Sequence, residues 1–555
     1  MATLKATANT GNMRPVFLPG AIMSPTARSA LLPYLFACLL AFLALCAFWY
    51  ALGRPIILPD AASPTHKLQC ASYTPFDKDQ SPFDQPLKVR PARLDADLAL
   101  LATRFQCIRT YSMTGLEDIP ALARKHGLKV MLGAWINSNP VDTQKEVKAL
   151  IAVANANPDV VSSVIVGNEA LLRKEVTGAQ LVALIHQVKA QVKQPVTYAD
   201  VWEFWNQYPE VGEAVDFVTI HLLPYWEDKP SGIDDALAHV AAIHDDFAKR
   251  FAPRDIVIGE TGWPSEGRQR QTALPSRVNE ARFIRSFVSM AEQRGWHYNL
   301  IEAFDQPWKR GSEGAVGGYW GLFDADRHNK GVLEGPVTNL PFWPQWLGAG
   351  ALLGLVALVF AGRPRRDDFR VEGHISMLER VQRHPAMLPA LAVIAAASLG
   401  VWGELMRVTA RFAGEWVWAG AMVALNLVML AYGLLVLARP VGVRARILSW
   451  LQPRAGLWAM AAGFAGAVMM LSMVFEPRYR SFPTAALVVP ALICLWRPVP
   501  VRRNETLLLA LIIAAGIVPQ LAREGLQNPQ AWGFAIISAL LALGLWRCVR
   551  VSQPG

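Results

Sequence analysis

From residue 68 to about 332 the chain repeats one unit: a short β-branched apolar run that ends in polar or aromatic residues, then a stretch with helical spacing. Eight such runs occupy residues 69–76, 107–112, 129–136, 160–169, 195–202, 217–225, 256–261 and 298–304. Helical stretches such as 95–104, 177–192 and 276–294 fall between them. Runs that are apolar on both faces belong to strands covered by helices, as in parallel sheets. Eight strand–helix units predict an α/β fold, a (β/α)8 TIM barrel over residues 60–337. A doubly wound open sheet would also alternate strand and helix, but no Gly-rich phosphate loop follows the first run.

The pattern changes on either side of that repeat. Residues 30–52 form one apolar run long enough to span a bilayer. Seven more apolar segments follow at about 342–362, 386–406, 416–438, 455–475, 483–496, 506–522 and 530–547, of which 483–496 is short for a span. The chain therefore divides into an N-terminal segment 1–29, a transmembrane helix 30–52, the barrel 60–337, an α-helical membrane domain 342–547 and a tail 548–555. Residues 60–66 read as a linker with Pro and Ser.

Charge sharpens this division. After residue 340 there are 20 Arg against 9 acids, whereas the residues before it hold 34 basic and 35 acidic side chains. A neutral barrel without a basic patch excludes nucleic acid as a partner. The arginines speak instead of topology and of the lipid bilayer. Lys5, Arg14 and Arg28 precede the first run; Arg363, Arg365, Arg366, Arg370, Arg439, Arg444, Arg446, Arg454, Arg497, Arg502 and Arg503 cluster in alternate loops. By the positive-inside rule both termini are cytoplasmic and the barrel lies outside. A cleaved signal peptide is the alternative for 30–52, but the run exceeds a usual signal core. Glu404 is expected at a membrane interface and Asn426 in an interhelical hydrogen bond. Of six cysteines, Cys70 and Cys107 open two successive strands and are expected as buried thiols, with a disulfide the alternative in an oxidising compartment.

In such a barrel the C-terminal ends of the strands form the active face. Those ends carry Tyr73, Phe76, Arg109, Tyr111, Trp135, Asn137, Asn168, Glu169, Asp200, Trp202, His221, Tyr225, Trp226, Glu260, Trp263, Glu302, Asp305 and Trp308. Carboxylates, an amide and many aromatics on one rim suit a sugar, whose ring faces are apolar and whose edges are hydroxyls. No His/Asp/Glu grouping has metal-ligand spacing and no Gly-x-Ser-x-Gly elbow occurs, so neither metal nor cofactor is expected. Glycosidic cleavage needs two carboxyl groups flanking the bond. Glu169 and Glu260 end the fourth and seventh strands, which face each other across the mouth. Asn168 is placed to bind a sugar 2-hydroxyl. Tyr225 is a candidate to steer Glu260, or else a rim aromatic. Glu302 either binds a hydroxyl, tunes Glu169, or pairs with Arg109. Tyr73, Tyr111, Trp135, Trp202, Trp263 and Trp308 are candidate sugar contacts. His221 reads as a core histidine, and Glu266 as solvated.

The stretches IRTYS (108–112), VGNEALLR (166–173), HLLPYWE (221–227), IGETGWPSEG (258–267), YNLIEAFDQPWK (298–309) and YWGLFD (319–324) occur in barrel order. With them the chain resembles glycoside hydrolase family 17, the β-1,3-glucanases and β-1,3-glucanosyltransferases. The resemblance implies a retaining mechanism with Glu169 as general acid/base and Glu260 as nucleophile, about 5–5.5 Å apart. It implies a β-glucan oligosaccharide or polysaccharide as substrate. The fusion to membrane segments resembles bacterial proteins described as β-1,6-glucan synthases. That implies a bacterial inner membrane, a periplasmic barrel, and work beside glucan synthesis or export machinery. Transfer to a sugar acceptor is the expected activity. Hydrolysis is the alternative, and a non-catalytic glucan-binding or export role a third.

Overall fold

The structure, a computed structural model, describes residues 25–61, 67–84, 87, 89–362, 384 and 386–552. The expectations for Lys5, Arg14, Arg363, Arg365, Arg366 and Arg370 lie outside the described residues, as do 62–66 of the linker and 553–555 of the tail.

Eight strands form a closed barrel in sequence order, β1 Leu68–Ser72, β2 Phe105–Arg109, β3 Lys129–Ala134, β4 Val161–Asn168, β5 Val196–Val201, β6 Val218–Leu222, β7 Ile256–Thr261 and β8 His297–Leu300. All neighbours are parallel, and β8 closes on β1 through Cys70↔Asn299 and Ala71↔Leu300. Between strands and helices lies one apolar layer that includes Leu98, Ile108, Val130, Leu132, Val164, Ile258 and Phe287. The helices are delimited as their sequences require. Thr177 and Gln180 form a capping box before Gly178–Lys189, and left-handed Gly295 ends Arg277–Arg294.

The ladders stop before most apolar runs do. Beyond Ser72, Arg109 and Asn168 the chain continues to the rim as Tyr73, Tyr111 and Glu169. Register shifts fall between Ile165 and Asn168, Ile220 and His221, and Ile258 and Thr261. Bulges of this kind re-aim side chains, and here they sit on the strands that deliver Glu169, His221 and Glu260.

The lower lumen is filled by Cys70, Cys107, Met131, Ile165 and Ala199. Here one expectation is corrected. Cys70 and Cys107 are not two thiols but a disulfide, between register partners with Cα atoms 4.5 Å apart. Adjacent strands bring the two side chains together, which spacing along the chain does not reveal.

Among the described residues seven helices are long and apolar enough to cross a membrane, and Thr484–Trp496 is a shorter apolar helix. They include Pro25–Gly53, Trp343–Ala361, Met387–Thr409, Ala413–Ala438, Ala455–Phe475, Arg503–Glu524 and Pro529–Val551. Asn426 Nδ2 donates to Met422 O and, across helices, to Ala486 O at 2.9 Å, as expected. Glu404 accepts from Trp346 Nε1 at 2.9 Å and from Arg407. Two strand-like contacts between Ile56 and Val337 bring together the segments entering and leaving the barrel. Buried Arg285 clamps both, donating to Leu58 O, Val332 O, Gly331 O and Gly335 O.

The loops after β7 and β8 pack against the helical half. Arg268 pairs with Glu524, Gln269 N donates to Gln530 Oε1 at 3.0 Å, Tyr319 Oη donates to Val408 O at 3.1 Å, and Arg411 Nη1 donates to Arg310 O at 2.7 Å. The rim bearing the strand C-termini is therefore the rim that meets the helices.

Candidate active site

At the centre of the rim lies Arg109, a fully buried cation at the end of β2. Its Nη1 donates to Glu260 Oε1 at 2.9 Å and to Gly259 O at 2.7 Å; its Nη2 donates to Asn168 Oδ1. Tyr111 Oη donates to the same Glu260 oxygen at 2.8 Å. His221, register partner of Glu260, places Nδ1 2.9 Å from Glu169 Oε1 and 3.7 Å from Glu260 Oε2. Its Nε2 lies 3.5 Å from Arg109 Nη2, an arrangement that turns the Nδ1 proton toward the carboxylates.

Burial alone would raise the Glu260 carboxyl. The fields of His221 and Arg109 and the Tyr111 hydrogen bond outweigh it and hold the group below the usual carboxylate range. Glu169 is different: its side chain is 23 % exposed, and its backbone sits at φ 53° in the left-handed region. A non-glycine residue held there is strained, and such positions cluster at functional sites. Gly167 beside it takes φ 94°. A buried ionised glutamate thus faces a half-open one. An oxygen of each and a nitrogen of His221 lie within 4.8 Å of one another. That spacing is near the retaining distance of about 5–5.5 Å and short of the roughly 6.5–9.5 Å of inverting pairs. The three donors could hold a cation, but Arg109 and Tyr111 already donate to Glu260.

Further carboxyls surround the pair. Asp200 accepts from Tyr198 Oη and is pushed up to about 7 by burial and the Glu169 charge. Glu302 bonds Lys309 Nζ at 2.8 Å, and burial raises it to about 7 against that cation. Glu313, in the short helix Arg310–Gly317, is raised to about 7 by burial, with Lys309 opposing and Glu302, Glu169 and Glu260 adding to the rise.

The other expected contacts divide by burial. Tyr225 is fully buried and its hydroxyl donates to Arg268 O at 2.9 Å; the phenol that steers Glu260 is Tyr111. Trp263 is fully buried with Nε1 donating to Leu274 O, and Tyr73, 1 % exposed, donates to Asp97. These three belong to the buried apolar cluster between the strands and the helices and loops that cover them. Glu302 pairs with Lys309, not Arg109. Glu266 is not solvated: Arg277 lies 3.6 Å and Arg407 4.0 Å away, and burial raises its carboxyl to about 7. Trp135 is half-buried under the Arg173 guanidinium, 4.1 Å from its ring. Trp308 is half-buried beside exposed Phe83, with ring centroids 5.8 Å apart. His221 and Arg109 are the residues that sequence reasoning undervalued. The available signal was a charged or imidazole side chain closing an otherwise apolar strand.

A closed (β/α)8 barrel with paired rim glutamates, one buried and held below the usual carboxylate range, suits the cleavage of a glycosidic bond. Residues 70–321 match the family described as the BtgE/BtgC glycoside hydrolase domain, a domain of the glycoside hydrolase family 17 kind. The protein is an enzyme. Among its relatives, the glucan 1,3-beta-glucosidase of Arthroderma benhamiae is 29 % identical over 260 residues, 43 % of this chain and 83 % of that one. A glucan 1,3-beta-glucosidase of Candida albicans is 26 % identical over 43 % of this chain and 85 % of its own. A solved Rhizomucor miehei beta-1,3-glucanosyltransferase, an active-site mutant in complex with laminaritriose, is 27 % identical over 48 % of this chain and 97 % of its own, with a TM-score of 0.42.

Proposed function

We propose that the chain is a membrane-anchored retaining enzyme that cleaves β-1,3-glucan and transfers the glycosyl unit to a sugar acceptor. Glu260 is the nucleophile. Ionised and fixed by Arg109 and Tyr111, it attacks the anomeric carbon while Glu169 protonates the leaving oxygen. A covalent glycosyl-enzyme results. Glu169, now a carboxylate, takes the proton of the incoming hydroxyl as that oxygen displaces Glu260. His221 lies between the two carboxyls, bonding Glu169 at 2.9 Å and standing 3.7 Å from Glu260. Asn168, held at Oδ1 by Arg109, is set to donate from its amide to the 2-hydroxyl.

The observation that carries this reading is the asymmetric pair: a buried carboxylate tied by two donors, opposite a partly exposed one. The relatives named as glucan 1,3-beta-glucosidases support the substrate class. Seven apolar helices, with side chains such as Leu352, Leu355 and Val359 exposed on their flanks, support residence in a membrane. The arginine bias and the Cys70–Cys107 disulfide support a periplasmic barrel, since disulfides persist in oxidising compartments. Attachment to a membrane suits remodelling of a newly exported glucan, including formation of β-1,6 linkages.

The test uses the purified full chain and a β-1,3-linked gluco-oligosaccharide. Products longer than the substrate mean transfer; only shorter ones mean hydrolysis. Glu169→Gln and Glu260→Gln should each lower kcat at least about 100-fold. Turnover of Glu260→Gln at the parent rate would refute the assignment.

A further inference from the structure

The family match ends at residue 321, yet the rim does not end with the barrel. The loop 476–483, between Ala455–Phe475 and Thr484–Trp496, rises from the helical half to the mouth. The Tyr479 ring lies 6.4 Å from that of Trp226, at 68°. The Arg478 guanidinium lies 5.7 Å over the same indole. Trp226 in turn stacks on Trp320, 6.4 Å away at 17°. From the other side comes the Arg310–Gly317 helix. Its Glu313 sits in the fields of Lys309, Glu302, Glu169 and Glu260, so this helix borders the catalytic carboxyls. The next residue, Gly314, takes φ 72°, and a Cβ there would come within 2.8 Å of Tyr479 O. One short helix thus touches the catalytic pair's surroundings at one residue and the loop's backbone at the next.

The loop does not behave as a simple strut. Its backbone docks on Gly314, but the Tyr479 ring is left 39 % exposed, and Arg478 is exposed beside it. A phenol ring and a guanidinium, fixed next to a half-exposed tryptophan, present the two chemistries a sugar needs: a flat apolar face and a fork of donors.

We propose that the loop 476–483 of the helical half forms an outer subsite of the glucan cleft, with Tyr479 as the platform for a distal glucose unit and Arg478 as donor to its hydroxyls. This rests on the reading of the barrel as a β-glucan enzyme. It makes the helical half part of the substrate site as well as an anchor, and it gives the enzyme a preference for chains long enough to reach the loop.

The experiment compares kcat/KM for β-1,3-linked gluco-oligosaccharides of three and six units, using the full chain in detergent. Tyr479→Ala and Arg478→Ala should each reduce the six-to-three ratio about fivefold, the effect of losing one stacking or donor contact. Tyr479→Phe, which keeps the ring, should retain the parent ratio. A ratio unchanged in both alanine variants overturns the proposal, as does an equal loss on both substrates or a Tyr479→Phe loss as large as that of Tyr479→Ala. Parent enzyme that turns over neither oligosaccharide overturns the glucan reading itself, and this one with it.

Discussion

Glu260 is held below the usual carboxylate range by His221, by Arg109 and by the Tyr111 hydroxyl, and the cheapest of the three to remove is that hydroxyl. Tyr111→Phe keeps the ring and its contact with Arg109, whose guanidinium lies 4.8 Å from the ring centroid. The sign of the effect follows. The Glu260 carboxyl is held below its ordinary value, so the reactive carboxylate persists above that value and is lost as pH falls through the lowered one. Without the hydroxyl the carboxyl titrates higher. The acid limb of the kcat/KM profile should move to higher pH, with kcat down about tenfold at the optimum. An unmoved acid limb would show that Tyr111 does not set the titration of Glu260. Glu169 and Glu260 were legible in the chain because each carboxylate closes an apolar run next to glycines, Gly167 on one side and Gly259 and Gly262 on the other. Tyr111 and Tyr225 were not separable that way. Both are aromatics just past a strand, and only the barrel's register and bulges decide which ring meets the lumen.

At the level of elements, the apolar run 256–261 coincides with β7, whereas the runs at 69–76 and 217–225 overshoot β1 and β6 by four and three residues. The overshoot has one cause. Rim residues stay apolar or aromatic after the ladder hydrogen bonds stop, because helices and loops still cover them. The Arg310–Gly317 helix was hidden for the opposite reason: RGSEGAVG has too few apolar residues to show a period. Its geometry depends on Gly314, whose φ of 72° suits glycine and whose missing Cβ leaves room for Tyr479 O. Gly314→Ala should destabilise the junction by about 1–3 kcal/mol, from left-handed strain and the backbone clash together. It should show as faster protease cleavage within 476–483 than in the parent. A parent-like cleavage rate would mean that the helix and the loop are not coupled.

For the whole molecule, the barrel is held rim-down on the helices, and one of its ties is a buried ion pair. Arg268 and Glu524 are 6 % and 3 % exposed, and Asn528 Nδ2 adds a bond to Glu524 Oε2 at 3.2 Å. Breaking such a pair costs more than its presence contributes, because one buried charge is left alone. Glu524→Ala should cost about 3–5 kcal/mol, while Arg268→Met with Glu524→Leu should recover most of it. Thermal unfolding of the three proteins reads the difference, and a double variant no better than the single one would remove the unpaired charge as the cause.

The same crowding of acids at this junction sets the response to pH. Asp200, Glu266, Glu302 and Glu313 are raised to about 7, and Glu280 to about 8, burial being the first cause in each. A carboxyl raised on folding binds protons more tightly in the native state than in the unfolded one. Its contribution is complete below the ordinary carboxylate range and is lost as pH climbs through the raised value. Five such groups share one window, so stability should decline from pH 5 to pH 8, opposite to the acid-labile pattern of salt-bridged carboxylates. Glu260 behaves otherwise, because His221 and Arg109 hold its carboxyl below the usual range despite burial. The thermal midpoint should therefore be higher at pH 5.5 than at pH 8. A midpoint that rises between those values would place these carboxyls in water or in ion pairs stronger than Lys309 and Lys330 supply.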